Sequence, residues 1–242
     1  MSKSQLSVLI SSSPIQSHPS TSIIEETIAS VRYHLPDAPI YVMLDGVRKE
    51  QKARATAYLE YLQRLAAWAI FHAKNIKLVP FPDFHHQAVM TMQTLELVKT
   101  PQILFVEHDT PLVDAPIDWD MLIEMIKNDT TNHIRLHYDD QIHPEHQHMM
   151  RGKLTPNLIK CVQFHQRPHL AGTQWYRELL AANFTERSRT FIEDVVYSPV
   201  SCAPWEEYKL CIYDPEGTGR NMKRSRDLNG RGSEQKYPMI FR

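Results

Sequence analysis

The stretch Ile103-Leu-Phe-Val-Glu-His-Asp-Thr-Pro-Leu-Val113 sets four consecutive apolar residues directly before Glu107-His108-Asp109. A short unbroken apolar run of this kind is the pattern of a strand covered on both faces. Its abrupt polar end marks where the strand leaves the core. Two carboxylates one residue apart can converge on a single cation there, because the backbone turns at a strand end. Carboxylate oxygens suit Mg²⁺ or Mn²⁺, which keep open positions for other oxygen ligands such as those of a diphosphate. The same triplet can also be a solvated strand end with Asp109 capping a turn, so its surroundings decide the reading.

Working outward, Gln5–Ser12 is a first buried strand. Ser22-Ile-Ile-Glu25 has the spacing of a capping box, and Ile24, Ile28, Val31 and Leu35 recur at helical period after it. Pro39–Gly46 is a second apolar strand ending at Asp45-Gly46. A helix is expected over 49–73, with Ala55, Leu59, Leu62, Ala66 and Ile70 on one face. Residues 76–81 form a third strand and 87–99 a helix, after which comes the 103–113 stretch. Alternating strands and helices predict a mainly parallel sheet with helices on both faces. Ligands bind such sheets beyond the carboxyl ends of the strands. Ser12-Ser13-Pro14, Asp45 and Glu107-His108-Asp109 all fall at those ends.

The second half is less regular. A helix at 118–127, a strand at 133–138, a polar loop at 137–148, a strand at 158–165, a helix at 173–182 and a last strand at 208–214 are expected. Beyond Pro215 the chain is a polar tail. One α/β domain follows, with a mainly parallel half at about 1–113, a mixed half at about 114–213 and a basic tail at 214–242.

The chain has 242 residues and a net charge of -1, so it carries no body-wide field for nucleic acid or an anionic membrane. No apolar run approaches the roughly 20 residues of a membrane span. Three cysteines without paired spacing argue against a disulfide framework, and the N-terminal apolar stretch is too short for a leader. The expected setting is a reducing cytoplasm.

With these motifs in place, the chain resembles the glycosyltransferases of the GT-A fold. Those enzymes carry an Asp-x-Asp-type triplet after the fourth strand, and Glu107-His108-Asp109 stands in that place. The resemblance implies Glu107 and Asp109 as ligands of Mn²⁺ or Mg²⁺, and His108 at the nucleotide-sugar. It implies that Ser12, Ser13, Pro14 and Asp45 hold the nucleoside of a nucleotide-sugar donor, while Gln87, at the start of the third helix, is a candidate either for nucleotide contact or for capping the helix. Phe191-Ile-Glu-Asp194 is similar to the Glu-Asp pair of inverting members, which makes Asp194 the base toward a glycan or other hydroxyl acceptor, with Glu193 beside it. Glu replaces the first Asp of the triplet, and no histidine follows His169 to serve as a late metal ligand.

Other constellations complete the picture. Arg220, Lys223, Arg224 and Arg226 are the densest basic cluster; Arg220, Lys223 and Arg224 are candidates to fold over the leaving diphosphate, and the same cluster also fits an ordinary solvated tail. His169, Gln174 and Trp175 are candidates for the acceptor pocket, Trp175 as a platform for a sugar ring. His143, His146 and His148 lack the partners of a zinc site and read as a polar loop. A nucleotidyltransferase is the nearest alternative, but the loop after the first strand has neither the Gly nor the Arg such enzymes use. A non-catalytic carbohydrate- or nucleotide-binding protein is the second alternative.

Overall fold

The computed structural model describes residues 6–72 and 74–228. The apolar runs form β1 (Leu6–Ser12), β2 (Ile40–Leu44), β3 (Ile76–Pro80) and β4 (Gln102–Glu107), all parallel, in the order β3-β2-β1-β4. The register sets Ser12 against Leu44 and Ser11 against Glu107, so the polar strand ends share one edge. Helices α1 (Ser22–His34), α2 (Ala55–His72) and α3 (His86–Leu95) connect them.

The second half extends the same sheet. Its strands are β5 (His133–Arg135), β6 (Met150–Thr155), β7 (Leu158–Cys161), β8 (His169–Gly172) and β9 (Leu210–Tyr213). Its helices are α4 (Trp119–Lys127), α5 (Thr173–Asn183), α6 (Ile192–Cys202) and α7 (Trp205–Tyr208). The sheet has nine strands, with β8 inserted antiparallel between β4 and β5 and the β7–β6 hairpin at its far edge. β6 and β8 were not expected. β8 has only four residues, one a glycine, and its burial comes from its two neighbours rather than from its own pattern.

Each strand sends alternate residues to opposite faces. Val8, Ile10, Leu104 and Val106 pack beneath α1, α2 and α4. Leu9, Met43, Ile103 and Phe105 pack beneath α3, α5 and α6. About 25 cal/mol per Å2 of apolar surface removed from water is the main force holding both layers.

Several local expectations are corrected. α1 starts on Thr21, whose hydroxyl bonds Glu25, so the anticipated cap is displaced one residue from Ser22. Lys49–Arg54 forms a 3-10 turn before α2 rather than its first turns. The inward seam of α2 is Tyr58, Tyr61 and Leu65, whereas Leu59 and Ile70 are exposed. Tyrosine was underrated there, since its ring carries large apolar area behind one polar atom. The strand expected at 133–138 stops at Arg135, and that at 158–165 stops at Cys161.

Candidate active site

The chemistry-bearing residues are the last members of the alternation on one face. Tyr41 and Met43 lead to Asp45, Leu9 to Ser11, Ile103 and Phe105 to Glu107, and His133 to Arg135. The apolar members anchor beneath α3, α5 and α6, and the polar member stands where the sheet ends. A cleft of about 130 Å3 opens there, lined by Ser11–Ile15, Asp45, Arg48, Gln51, Arg54, His86, Gln87, Met90, Glu107, His108 and Phe191. It therefore collects Ser12, Ser13, Pro14, Asp45, Gln87, Glu107 and His108 from four separate segments.

Hydrogen bonds build its walls. Asp45 Oδ1 accepts from Gly46 N at 2.9 Å and His85 N at 2.8 Å, and Oδ2 accepts from His86 N at 3.1 Å. The carboxylate thus ties β2 to the start of α3 while lining the cleft. Burial raises its pKa above the usual carboxylate value, opposed by those backbone donors. Gly46 is required by this closure, since a Cβ there would lie 2.3 Å from the carbonyl carbon of Asp83. His86 is held at a φ of 61° and its ring meets Phe191 edge-on at 4.5 Å. Gln87 joins three elements, donating to Glu107 Oε1 at 3.2 Å and accepting from Ile192 N at 3.2 Å. On the opposite side, Ser12 Oγ and Tyr61 Oη lie 3.1 Å apart, and His18 stacks on Tyr61 with centroids 3.9 Å apart. His18 Nδ1 accepts from Ile15 N, which fixes the 13–18 loop, and burial holds its pKa down at about 3.

Arg48 and Arg54 bring two guanidinium groups into the cleft. Arg48 lies over the Phe84 ring at 4.9 Å and its Nη2 is 3.3 Å from His86 Nε2. Sequence reasoning missed both, because Val47-Arg-Lys-Glu-Gln-Lys-Ala-Arg54 reads as the solvated start of a helix. Its position directly after Asp45-Gly46 was the available signal.

At the triplet, Glu107 lines the cleft and His108 is buried, its backbone N–H and its Nδ1 both directed at Ser11 O. His108 Nε2 has no hydrogen-bond partner among the described residues. Asp109 is buried at the following turn and lies outside the cleft lining, and its carboxylate forms no hydrogen bond among the described residues. No group of three metal-ligating side chains occurs among the described residues. Of the two carboxylates expected to hold a divalent cation, Glu107 alone lines the cleft, so most positions of such an ion would fall to water and phosphate oxygens.

The acidic pair begins α6, and its two members differ. Glu193 is half-buried, its Oε2 accepting from Gln166 N at 2.9 Å and lying 3.5 Å from His165 Nδ1. Burial raises its pKa, and the Asp194 charge adds to the rise. Asp194 is exposed and makes no hydrogen bond among the described residues. Of the pair, burial falls on Glu193 and not on Asp194. Ile192, Val196 and Val200 face inward at helical spacing, and Asp194 lies on the other side of that stripe.

Other candidates are relocated. His169 is fully buried, stacked on His133 at 4.4 Å and on Phe105 at 5.3 Å, with Tyr176 Oη 3.1 Å from Nε2. It is a core residue and is withdrawn from the acceptor pocket. Gln174 and Trp175 follow β8, which runs antiparallel to β4, so Gly172 pairs with Gln102 at the opposite edge from Glu107. They lie a strand length from the cleft, Gln174 bonded to Glu178 and Trp175 packed on the core.

The tail up to Leu228 is docked rather than free. Arg224 N and Ser225 N donate to His137 O, Arg226 N to Pro111 O and Leu228 N to Asp109 O. Arg224 is buried and donates to the carbonyls of Pro116, Asn221 and Lys223, which removes it from nucleotide binding. Arg220 and Lys223 are exposed and neither lines the cleft. The tail glycines at 230 and 232 lie outside the described residues.

No protein-family model matches the sequence, and no curated protein matches it. Solved structures do. TarS residues 1–349 from S. aureus superpose with a TM-score of 0.58 at 9% identity, over 92% of this chain and 60% of that one. GalNAc-T7, solved with UDP, GalNAc and Mn²⁺, gives 0.58 at 12% identity over 86% of this chain and 42% of that one. The mannosyltransferase PcManGT from Pyrobaculum calidifontis, solved with GDP-Man and Mn²⁺, gives 0.53 at 12% identity, over 89% and 58%. The chain spans at most three fifths of the length of these structures. Its fold is that of the GT-A glycosyltransferases. Among the described residues, no helix is long and apolar enough to cross a membrane.

Proposed function

We propose that the chain is a glycosyltransferase that moves a sugar from a nucleotide-sugar donor to a hydroxyl acceptor with inversion. The observation that carries this reading is the convergence, in one cleft at the carboxyl edge of the sheet, of Asp45, Glu107, Arg48 and Arg54, closed by the Phe191 end of α6. Structural neighbours solved with UDP, GDP-Man or Mn²⁺ support it. The Ser11–Ile15 loop and the Asp45-held turn form the walls for the nucleoside. Arg48 and Arg54 offer guanidinium donors for phosphate oxygens, the bidentate role for which Arg is suited.

Glu107 and Asp109 would hold a divalent cation, which when bound would neutralise charge on the leaving diphosphate. Glu193 is committed to Gln166 N, so it shapes the acceptor side. Asp194, exposed and without a hydrogen bond, is the member able to take a proton from the attacking hydroxyl.

The test is Asp194→Asn. Transfer should fall about 100-fold or more, the scale of general-base catalysis, with donor affinity unchanged. A folded Asp194→Asn protein transferring at the parental rate would move the base to Glu193.

A further inference from the structure

The acceptor side holds a guanidinium that the fold does not neutralise. Arg135 ends β5 and is 3% exposed. Its Nη1 and Nη2 both donate to Gln163 Oε1 at 3.2 Å, and its Nε has no partner. It forms no ion pair among the described residues. Removing a charge from water costs several kcal/mol unless an opposite charge is paired with it. Glu193 contributes to the field around Arg135, yet its Oε2 faces Gln166 N and His165. An amide oxygen is therefore the whole of this guanidinium's bonding.

Arg135 lines a small pocket of about 20 Å3 with His137, Tyr138, His146, Gln163 and Asp139. That volume admits about one water-sized atom, such as a single oxygen of an oxyanion, and no sugar ring. His137 Nε2 lies 3.2 Å from Gln141 O, and its Nδ1 is buried without a partner. Burial keeps His137 and His165 well below their ordinary pKa, so Arg135 rather than these rings supplies positive charge at neutral pH. None of the pocket's lining residues is shared with the donor cleft. The location fits an acceptor, because His169 of β8 pairs with Phe105 on one side and Arg135 on the other. Arg135 thus lies two ladder spacings from β4, roughly 10 Å along the edge.

We infer that this pocket binds an oxyanion carried by the acceptor, a phosphate or a carboxylate, so that the hydroxyl compound receiving the sugar is anionic. The word acceptor rests on the glycosyltransferase reading; the anion site itself does not. Calorimetric titration of the protein with inorganic phosphate and with acetate, at constant ionic strength, tests it. At least one anion should bind. Gln163→Glu sets a carboxylate against both Nη atoms without changing side-chain size, and should weaken that binding tenfold or more with an equal or higher urea midpoint. Arg48→Ala/Arg54→Ala should leave the binding in place, since those residues belong to the donor cleft. If Gln163→Glu fails to fold, Arg135→Met must abolish the binding instead. Phosphate binding without acetate binding, or the reverse, identifies the group. Absence of both, binding indifferent to Gln163→Glu, or binding lost in the Arg48/Arg54 variant would overturn the inference. Titration of a nucleotide-sugar in the same series reports separately on the donor reading.

Discussion

Asp45→Asn separates two roles for the second-strand acid. If the carboxylate acts by holding the turn before α3, the variant changes stability first and nucleoside affinity second. Oδ1 serves Gly46 and His85, and Oδ2 serves His86. An asparagine can keep its carbonyl oxygen toward the first pair. Its amide nitrogen then stands about where Oδ2 was, donor against donor with His86 N, on a residue already held at positive φ. The shorter His86 N contact is lost, its 3.3 Å contact to the Oδ1 position remains, and the bonds from Gly46 and His85 lose their charge, at about 1.5–3 kcal/mol for a bond to a charged group. Relief of the buried charge, the cause of the raised pKa of Asp45, offsets part of that loss. The net expectation is a destabilisation of about 2–3 kcal/mol, read as a lower urea midpoint at unchanged slope. Titration with a nucleoside diphosphate should show a modest loss that an added stabilising osmolyte partly restores. A parental urea midpoint together with abolished nucleoside binding would refute the positioning argument and return Asp45 to direct contact.

Other outcomes follow from the same geometry. Asp109→Ala should remove the Mn²⁺-dependent part of nucleoside diphosphate affinity, about tenfold or more, with free nucleoside unaffected; equal titrations with and without Mn²⁺ in parent and variant would rule Asp109 out as a ligand. Arg48→Ala or Arg54→Ala should weaken diphosphate binding about 10- to 100-fold, whereas Arg220→Ala/Lys223→Ala should not, and calorimetry showing the opposite order would restore the tail reading. The chain should also be acid-labile through buried histidines. His169 and His137 are held near about 4 in the folded state against 6.5 unfolded, so the unfolded chain takes up protons that the folded chain refuses. Their stability is complete above pH 6.5 and falls as pH drops toward 4, by roughly 2 kcal/mol each between pH 7 and 5. Urea midpoints equal at the two pH values would contradict this.

The first four strands were legible because burial on both faces writes itself as continuous apolar runs, and the polar ends of those runs mark the edge where the cleft forms. The residues that went astray share a physical cause. His169 stands beside polar residues in the sequence, but its surroundings come from Phe105 and His133 on neighbouring strands, which no local pattern reports. Arg224 belongs to a basic cluster in sequence, yet its position is set by backbone bonds to His137 and Val113, and composition carries no trace of such bonds. Glu193 and Asp194 are adjacent in sequence and about 100° apart on a helix, so their difference appears only once Ile192, Val196 and Val200 define the inward side.

Strand parity would have recovered more than composition did. Counting by twos from Leu9, Met43 and Phe105 leads to Ser11, Asp45 and Glu107, the residues lining the cleft. The same count from His133 leads to Arg135, which contains no motif and drew no attention as a charge in a short strand. A charged residue on the inward parity of a buried strand must meet either an opposite charge or a ligand, because burial alone disfavours it. Arg135 meets only the amide oxygen of Gln163, and that mismatch, rather than any sequence signature, sets it apart from the other strand ends.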